Sequence, residues 1–190
     1  MSETSGSVEP VAPGALGDTT AAGAKLPFLN NGIAQIAWLV PDLEATVTAY
    51  HERFGVGPWH FYTYGPPLVK KASYRGKPSS YRMRVALSYF GPMRVEFIQP
   101  LDGPSIYHEH IDAHGYGVHH LGVLVDDMTS ALQQAAAAGY GMIQDGSGFG
   151  PDGDGHYAYI DTEREFGVVY ELIQRPARRH PPEKIFPGEG

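Results

Sequence analysis

The sequence predicts an α+β fold built from two copies of one βαβββ module. The first observation is an internal repeat, because GIAQIAWLVPDL at residues 32–43 returns as GVHHLGVLVDDM at residues 117–128. The second is that MRVEFIQ at residues 93–99 returns as VVYELIQ at residues 168–174. Two copies are too few for a solenoid, which stacks about three or more units. We therefore expect two modules that pair within one domain.

The first module, about residues 32–101, changes from strand to helix and back to strand. Residues 33–40 have the pattern of a strand, Asp42 is placed to cap a helix, and apolar residues continue at helical spacing until Gly55. Three further strand-like runs follow, at residues 59–64, 81–90 and 93–99. The order of elements in this module is therefore βαβββ.

The second module, about residues 117–175, repeats this order. A strand is predicted at residues 118–125, and Asp127 caps an alanine-rich helix that runs to Ala138. The remaining predicted strands are a weak one near residues 141–144 and two clearer ones at 156–161 and 168–174. Each module thus supplies one helix to cover its strands.

The two ends of the chain differ from the modules in composition. Residues 1–26 are rich in Gly, Ala, Ser, Thr and Pro and contain no aromatic residue, so we predict a disordered tail. Residues 177–190 are rich in proline and are predicted to be an extension along the surface rather than a further element. Residues 27–176 are left as a single domain.

The overall composition excludes several classes of function. With a net charge of −7 and scattered Lys and Arg residues, the chain has no basic patch for nucleic acid. The absence of cysteine restricts any metal ligands to nitrogen and oxygen atoms. No apolar run reaches the roughly 18 residues of a membrane span, and the first residues lack the pattern of a secretory signal. We expect a cytoplasmic protein without a membrane or nucleic-acid partner.

Four side chains that suit a metal ion occupy equivalent positions of the repeat. Gln35 matches His120 in the first strands, and Glu96 matches Glu171 in the last strands. Alternation along the strand places His120 rather than His119 on the face that corresponds to Gln35. Each glutamate lies among apolar neighbours, which is costly unless a cation or a hydrogen-bond donor compensates. Taken singly, Gln35 and His120 have ordinary structural explanations, but the four together favour one metal site.

These motifs resemble the vicinal oxygen chelate superfamily, which includes glyoxalase I, methylmalonyl-CoA epimerase, extradiol dioxygenases and bleomycin-resistance proteins. The segments GVHHLGVLVDD and VEFIQPLDGPSIY are similar to the epimerase branch. The resemblance implies a cup-shaped mixed sheet with helices outside. It also implies Gln35, Glu96, His120 and Glu171 as ligands of a divalent ion, whether Ni, Co, Zn, Mn, Mg or Fe. This order of ligand types is similar to that of animal-type glyoxalase I.

The implied activity is that of a metal-dependent isomerase, epimerase or lyase. Such an enzyme acts through an enolate or enediolate on a small substrate with vicinal oxygens, and Glu171 and Glu96 are the candidate bases. One alternative is a non-catalytic, drug-sequestering protein of the bleomycin-resistance type. A second is a ring-cleaving dioxygenase, whose non-haem iron normally takes two histidines and one carboxylate. We expect a homodimer, the commonest assembly.

Four residues of the first module are candidates for substrate binding. Trp59 and Tyr62 provide aromatic surface for an apolar pocket, whereas Arg84 and Arg94 are suited to a carboxylate or a CoA phosphate. An equally weighted alternative is that they cover the faces of ordinary strands. The strand YRMRVALSYF carries no acid, although the epimerase branch places a catalytic glutamate there.

Two further segments attract attention because of their composition. His110 and His114 share one face of a helix, but the stretch around them lacks the HExxH spacing of a zinc enzyme. We therefore predict a solvated helix over residues 105–113, in the linker between the modules. The glycine-rich residues 147–156 predict a mobile loop that is placed to act as a lid.

Overall fold

The computed structural model describes residues 25–188, and it contains one mixed sheet with helices outside. The strands are β1 (Gln35–Leu39), β2 (Trp59–Tyr64), β3 (Lys71–Tyr74), β4 (Lys77–Pro78), β5 (Arg82–Phe90), β6 (Met93–Asp102), β7 (Gly117–Leu124), β8 (Met142–Ser147), β9 (His156–Ile160), β10 (Val169–Gln174) and β11 (Lys184–Phe186). The helices are α1 (Leu43–Phe54), α2 (Ile106–His114), α3 (Met128–Ala137) and α4 (Glu163–Phe166), preceded by a 3₁₀ turn at Pro27–Asn31. Within this part of the chain, every helix is too short or too polar to span a membrane. The predicted tail lies outside the described residues, apart from its last two.

The two modules form neighbouring halves of the sheet. The strand order is β2, β5, β6 and β1 in the first half and β7, β10, β9 and β8 in the second. In both halves the first strand runs parallel to the last, and an antiparallel contact between β1 and β7 joins the halves. The predicted α+β fold with two βαβββ modules in a curled mixed sheet is confirmed.

The helices begin where the repeat predicts. The backbone nitrogen of Ala45 donates to Oδ1 of Asp42 at 2.9 Å, and that of Thr129 donates to Oδ1 of Asp127 at 3.0 Å. Each bond satisfies one of the free N–H groups of a first helical turn. At the other end of α1, Gly55 adopts the left-handed conformation (φ 66°) that ends a helix. Both predicted caps are therefore confirmed.

A second repeated pair ties each helix to the sheet. The backbone nitrogen of Leu43 donates to Oε1 of Gln99 at 3.0 Å, and that of Met128 donates to Oε1 of Gln174 at 3.1 Å. Each glutamine follows its module's glutamate by three residues, so it points to the opposite face of the strand. The same strand thus anchors a helix outside and carries a carboxylate inside.

Three apolar clusters make up the core. Beneath α1, Leu43 and Val47 pack with Trp59 and Phe97, and beneath α3 a similar cluster covers the second half of the sheet. The third cluster lies on the concave face, and its buried aromatic members are Tyr62, Tyr81, Tyr107, Tyr157 and Tyr159. Because it fills only part of that face, the concave side also holds the polar site described below.

Four short elements depart from the sequence expectations. The hairpin of β3 and β4 and the short helix α4 were not predicted, and β3 extends the sheet beyond β8. The prediction that residues 177–190 contain no element is wrong, because β11 pairs antiparallel with β2 at the opposite edge. The short strands β3, β4 and β11 have weak local sequence patterns, and they are stabilised by pairing at the edges of the sheet.

Candidate active site

The four predicted ligands lie on four adjacent strands at the centre of the sheet. Glu96 is on β6, Gln35 on β1, His120 on β7 and Glu171 on β10, and all four point to the concave face. Their exposed fractions are only 8%, 1%, 0% and 5% in that order. Two of these residues come from each module, so the cluster spans the contact between the halves.

The polar atoms of this cluster are within contact distance of one another. The amide nitrogen of Gln35 donates to Oε2 of Glu96 at 2.9 Å and to Oε2 of Glu171 at 3.0 Å. Nε2 of His120 lies 3.2 Å from Oε2 of Glu171 and 3.5 Å from Oε2 of Glu96. Nε of Arg94 donates to the amide oxygen of Gln35 at 2.5 Å. The structure therefore brings all four predicted side chains together and adds Arg94 to them.

A bulge in β7 places a second histidine against the cluster. Ala37 lies opposite His120 and Trp38 opposite Val118, so the pairing between β1 and β7 passes over His119. Simple alternation would separate the adjacent rings, but their Nδ1 atoms lie 2.9 Å apart. Burial lowers the pKa of His119 well below its usual range, so its ring is neutral and its Nδ1 atom shares a hydrogen bond with Nδ1 of His120. His119 thereby orients the Nε2 atom of His120 towards the carboxylates.

The charges at the cluster stabilise one another. Burial by itself lowers the pKa of His120, but the negative charges and hydrogen bonds of Glu171 and Glu96 outweigh it and raise that pKa to about 9. Burial also lowers the pKa of Arg94, whereas the charge of Glu96 raises it. A guanidinium and an imidazolium thus face two buried carboxylates, which explains how these charges are tolerated.

The same residues fit a divalent cation. One ligand atom each from Glu96, His120 and Glu171 lies within 4.8 Å of the others. A set of one imidazole nitrogen and two carboxylate oxygens suits ions such as Mn²⁺, Fe²⁺, Co²⁺, Ni²⁺ or Zn²⁺. Gln35 presents its amide nitrogen to this point and its oxygen to Arg94. The amide oxygen of Gln35 reaches the cluster only when the side-chain amide flips, which breaks its hydrogen bond with Arg94.

A cavity of about 450 Å³ opens above the cluster. Its floor includes Gln35, Glu96 and Glu171, and its other lining residues are Tyr64, Met83, Leu87, Arg94, Phe149, Tyr157, Tyr159, Ile173, Arg175, Pro176 and Arg179. A groove of about 890 Å³ adjoins it and shares Arg94, Arg175 and Arg179. The walls are apolar and aromatic with a few convergent charges, as is usual for a small-molecule site.

The structure places only two of the four predicted substrate-binding residues at the cavity. Arg94 lines the cavity, and Tyr62 lines the adjoining groove. Trp59 is fully buried beneath α1, where it stacks on Phe97 at a ring distance of 4.8 Å. Trp59 precedes Tyr62 by an odd number of residues, so the two cannot share a face of β2. The prediction that Trp59 lines the substrate pocket is therefore wrong.

Arg84 also lies on the outer side of the sheet. Its neighbours Met83 and Val85 belong to the concave cluster, so alternation points Arg84 the other way. There Nη2 of Arg84 donates to Oε1 of Glu44 on α1 at 2.7 Å. The predicted role of Arg84 in gripping a substrate is corrected to an ion pair between helix and sheet.

The sequence interpretation missed the residues that form the mouth of the cavity. Arg175 and Arg179 follow β10 and, with Phe149 from the glycine-rich loop, line the opening. That loop is held to the same segment, since the backbone nitrogen of Ala177 donates to Oδ2 of Asp154 at 2.6 Å. The basic sequence RPARRH was the available signal, but the path of the segment depends on β11.

Comparison with known proteins agrees with this architecture. The family model described as the Glyoxalase/Bleomycin resistance protein/Dioxygenase superfamily matches residues 34–159. This match extends from β1 into β9, so it covers the first half of the sheet and the second half up to β9, and it ends before β10. Among curated proteins, none matches the chain.

Solved structures with the same fold include methylmalonyl-CoA epimerases. The enzyme from Streptomyces coelicolor in complex with 2-nitronate-propionyl-CoA has a TM-score of 0.55 at 20% identity, with 78% of this chain and 97% of that chain covered. The enzyme from Mycobacterium tuberculosis has a TM-score of 0.52 at 18% identity, with 76% and 88% covered. A hypothetical protein from Bacillus halodurans C-125 has a TM-score of 0.53 at 18% identity, with 78% and 96% covered. At these identities the likeness establishes the fold.

Proposed function

Since the chain belongs to the Glyoxalase/Bleomycin resistance protein/Dioxygenase superfamily, we propose that it is a metal-dependent isomerase, epimerase or lyase. The proposed reaction begins with the removal of a proton next to a carbonyl group. The observation that supports this function best is the meeting of Glu96, His120 and Glu171 at one point, with both glutamates on the floor of a cavity.

In this proposal Glu96, His120 and Glu171 would hold the ion, and Gln35 would contribute its amide oxygen in the flipped orientation of its side-chain amide. A bound divalent ion supplies Lewis acidity, which stabilises negative charge on the oxygens of the substrate. The set contains one histidine, whereas a ring-cleaving iron enzyme normally needs two, and this favours proton-transfer chemistry over oxygen activation.

The two glutamates are the proposed bases. Glu96 comes from the first half of the sheet and Glu171 from the second, so they approach the cluster from different sides. One carboxylate takes the proton from carbon, and in an epimerase the other returns a proton to the opposite face. An isomerase returns the abstracted proton to the neighbouring carbon, and in a lyase the electron pair expels a leaving group from that carbon.

Three arginines around the cavity, two at its mouth and one at the buried cluster, favour an anionic substrate. Arg94, Arg175 and Arg179 are placed to bind a carboxylate or phosphate group with charge-assisted hydrogen bonds. Solved relatives of the same fold bind CoA thioesters such as methylmalonyl-CoA. We therefore propose a small carboxylic acid or an acyl-CoA thioester as the substrate class.

Removal of the metal is expected to abolish proton exchange. Protein stripped with a chelator and then reloaded with Mn²⁺, Co²⁺, Ni²⁺, Zn²⁺ or Mg²⁺ is incubated in D₂O with 2-substituted acyl-CoA thioesters, including methylmalonyl-CoA, and with 2-hydroxy carbonyl compounds. Mass spectrometry measures deuterium next to the carbonyl group. We expect incorporation with at least one metal and a rate at least about 100-fold lower after stripping, because the enolate then lacks its stabilising charge.

Two results would contradict this function. One is protein that retains no metal and shows no metal-dependent exchange with any of these compounds. The other is a small molecule that stays bound during purification and is recovered chemically unchanged, as the drug-sequestering alternative predicts. Elemental analysis and mass spectrometry of the purified protein distinguish the two readings.

Loss of the arginines at the mouth is expected to weaken binding of the anion. Replacing both Arg175 and Arg179 with alanine should raise the Kd for methylmalonyl-CoA by about tenfold or more, as measured by calorimetry, because each guanidinium is a charged donor. Arg178→Ala is the matched control, since Arg178 pairs with Asp152 and lies outside the cavity. Equal affinity in the double variant and the control would exclude this role.

Other sequence expectations remain proposals. These are the start of the domain at residue 27, the homodimer, the cytoplasmic location and the small-molecule partner. The open groove beside the cavity and the acidic overall charge are consistent with a small-molecule partner rather than nucleic acid.

A further inference from the structure

A second group of metal-compatible side chains lies outside the site described above. His110 and His114 occupy one face of the linker helix α2, one turn apart, and Glu163 begins α4 beside them. Nδ1 of His110 and Nε2 of His114 each lie 3.4 Å from Oε1 of Glu163. Two imidazole nitrogens and one carboxylate oxygen therefore converge on one point.

The spacing of these atoms differs from that of a closed ion pair. Elsewhere in the structure, Nε2 of His156 lies 2.8 Å from Oδ2 of Asp145, within hydrogen-bond geometry. In the second cluster the distance is longer, and the buried Nδ1 atom of His110 has no hydrogen-bond partner. Ligand atoms that bind one tetrahedral Zn²⁺ at 2.0–2.1 Å lie roughly 3.3 Å apart. The two distances to Glu163 match the spacing of ligands around an ion, and the two imidazole nitrogens lie within 4.8 Å of each other.

The surroundings of the cluster also suit a cation. A cavity of about 550 Å³ reaches it, and the acid Asp161 lines the same cavity. The nearby cation Arg75 is paired with Glu109, so part of its charge is already compensated. The side chains of His114 and Glu163 are 55% and 41% exposed, which gives an ion a path from solvent and leaves room for water ligands.

We propose that His110, His114 and Glu163 bind a second metal ion, separate from the cluster at the centre of the sheet. Two imidazoles and a carboxylate favour a transition metal such as Zn²⁺, Co²⁺ or Ni²⁺ over Mg²⁺ or Ca²⁺, which prefer oxygen ligands. The helix α2 was expected to be solvated, but one of its faces carries this site.

The second ion joins elements that are distant in sequence. It ties the linker helix α2 to α4, which lies between the last two strands of the second module. The ring of His110 also packs edge-on against His119 at 4.9 Å, and His119 contacts His120. The ion therefore stabilises the layer of side chains that orients His120, without touching the substrate cavity.

The test uses Glu171→Gln protein, whose central cluster is expected to bind metal at least about 100-fold more weakly, at a Zn²⁺ concentration too low to fill that weakened cluster. Equilibrium dialysis against micromolar Zn²⁺, followed by elemental analysis, is expected to give one ion per chain in this background. Adding His114→Asn or Glu163→Gln should remove that ion. The matched controls, His108→Asn on the same helix and Glu165→Gln on α4, should keep it, since neither residue belongs to the cluster.

A thermal measurement provides a second readout that does not depend on activity. Zn²⁺ should raise the Tm of the Glu171→Gln protein and of both controls, because an ion that binds only the folded chain stabilises it. The increase should disappear with Glu163→Gln or His114→Asn, whose changed side chains are half exposed and leave the core intact. Zinc binding that survives both substitutions, or no zinc bound in the Glu171→Gln background, overturns the proposal. Failure of the central site to bind metal leaves this result unaffected.

Discussion

Glu171→Gln is expected to yield a folded protein that has lost both tight metal retention at the central cluster and proton exchange. Glutamine has the shape of glutamate, so the amide nitrogen of Gln35 keeps an oxygen acceptor at the position of Oε2. The negative charge that balances His120 and binds the ion is lost. We expect metal affinity at the central site to fall by about 100-fold or more and the exchange rate by roughly 10²- to 10⁴-fold, the usual contribution of a positioned base.

The matched control for this variant is Glu44→Gln. Glu44 is also paired with cations, Arg84 and Lys184, but it lies on the outer side of the sheet. Its partly exposed pairs should contribute less than about 1 kcal/mol to stability, and the central site should be unaffected. Calorimetric titration with the preferred metal and deuterium incorporation check both variants. A Glu171→Gln protein that exchanges protons like the control would remove Glu171 from the proposed chemistry.

The second large effect is expected at Gly122, which lies directly opposite Gln35 in the contact between β7 and β1. A Cβ atom at this position would lie 2.8 Å from Cδ1 of Ile173, 2.9 Å from Cβ of Gln35 and 3.3 Å from Oε2 of Glu171. Gly122→Ala therefore forces three neighbours of the cluster to move. Such overpacking typically costs about 1–3 kcal/mol, and displacement of Glu171 should also weaken metal binding.

Gly141→Ala is the control for this substitution. A Cβ atom at Gly141 would meet nothing within 4 Å, and its backbone does not have the positive φ that favours glycine. Urea unfolding should show a lower midpoint for Gly122→Ala with little change for Gly141→Ala, and calorimetry should show weaker metal binding only at Gly122. Equal stability and equal metal affinity in the two variants would mean that the site tolerates a methyl group at its centre.

The repeat made the centre of the molecule predictable. The sequence predicts that Gln35 lies near His120 and that Glu96 lies near Glu171. Each pair occupies equivalent positions on equivalent strands of the two modules, and such positions share one face of the sheet. Helix starts were predictable for a local reason, since Asp42 and the equivalent aspartate need only the next turn of backbone to act as caps.

Other features depend on contacts that the repeat does not encode. The bulge at His119 breaks the alternation on which the face assignment relied, and a single inserted position leaves no periodic signal. The path of Arg179 depends on the pairing of β11 with β2, a contact between the end of the chain and its first module. Trp59 and Arg84 are different, because counting along their strands would have placed both on the outer side.

The segment from Pro176 to His180 lies outside both copies of the repeat, yet it borders the cavity. The groups proposed for chemistry sit on central strands, whereas the groups proposed for selectivity sit on this peripheral connection between β10 and β11. Evolution can therefore change which compounds are accepted by altering a connection whose neighbours tolerate substitution, while the reacting residues stay in place. Related chains with the same four central residues are then expected to differ most in their final fifteen positions or so, and swapping that stretch between them offers a route to new specificities.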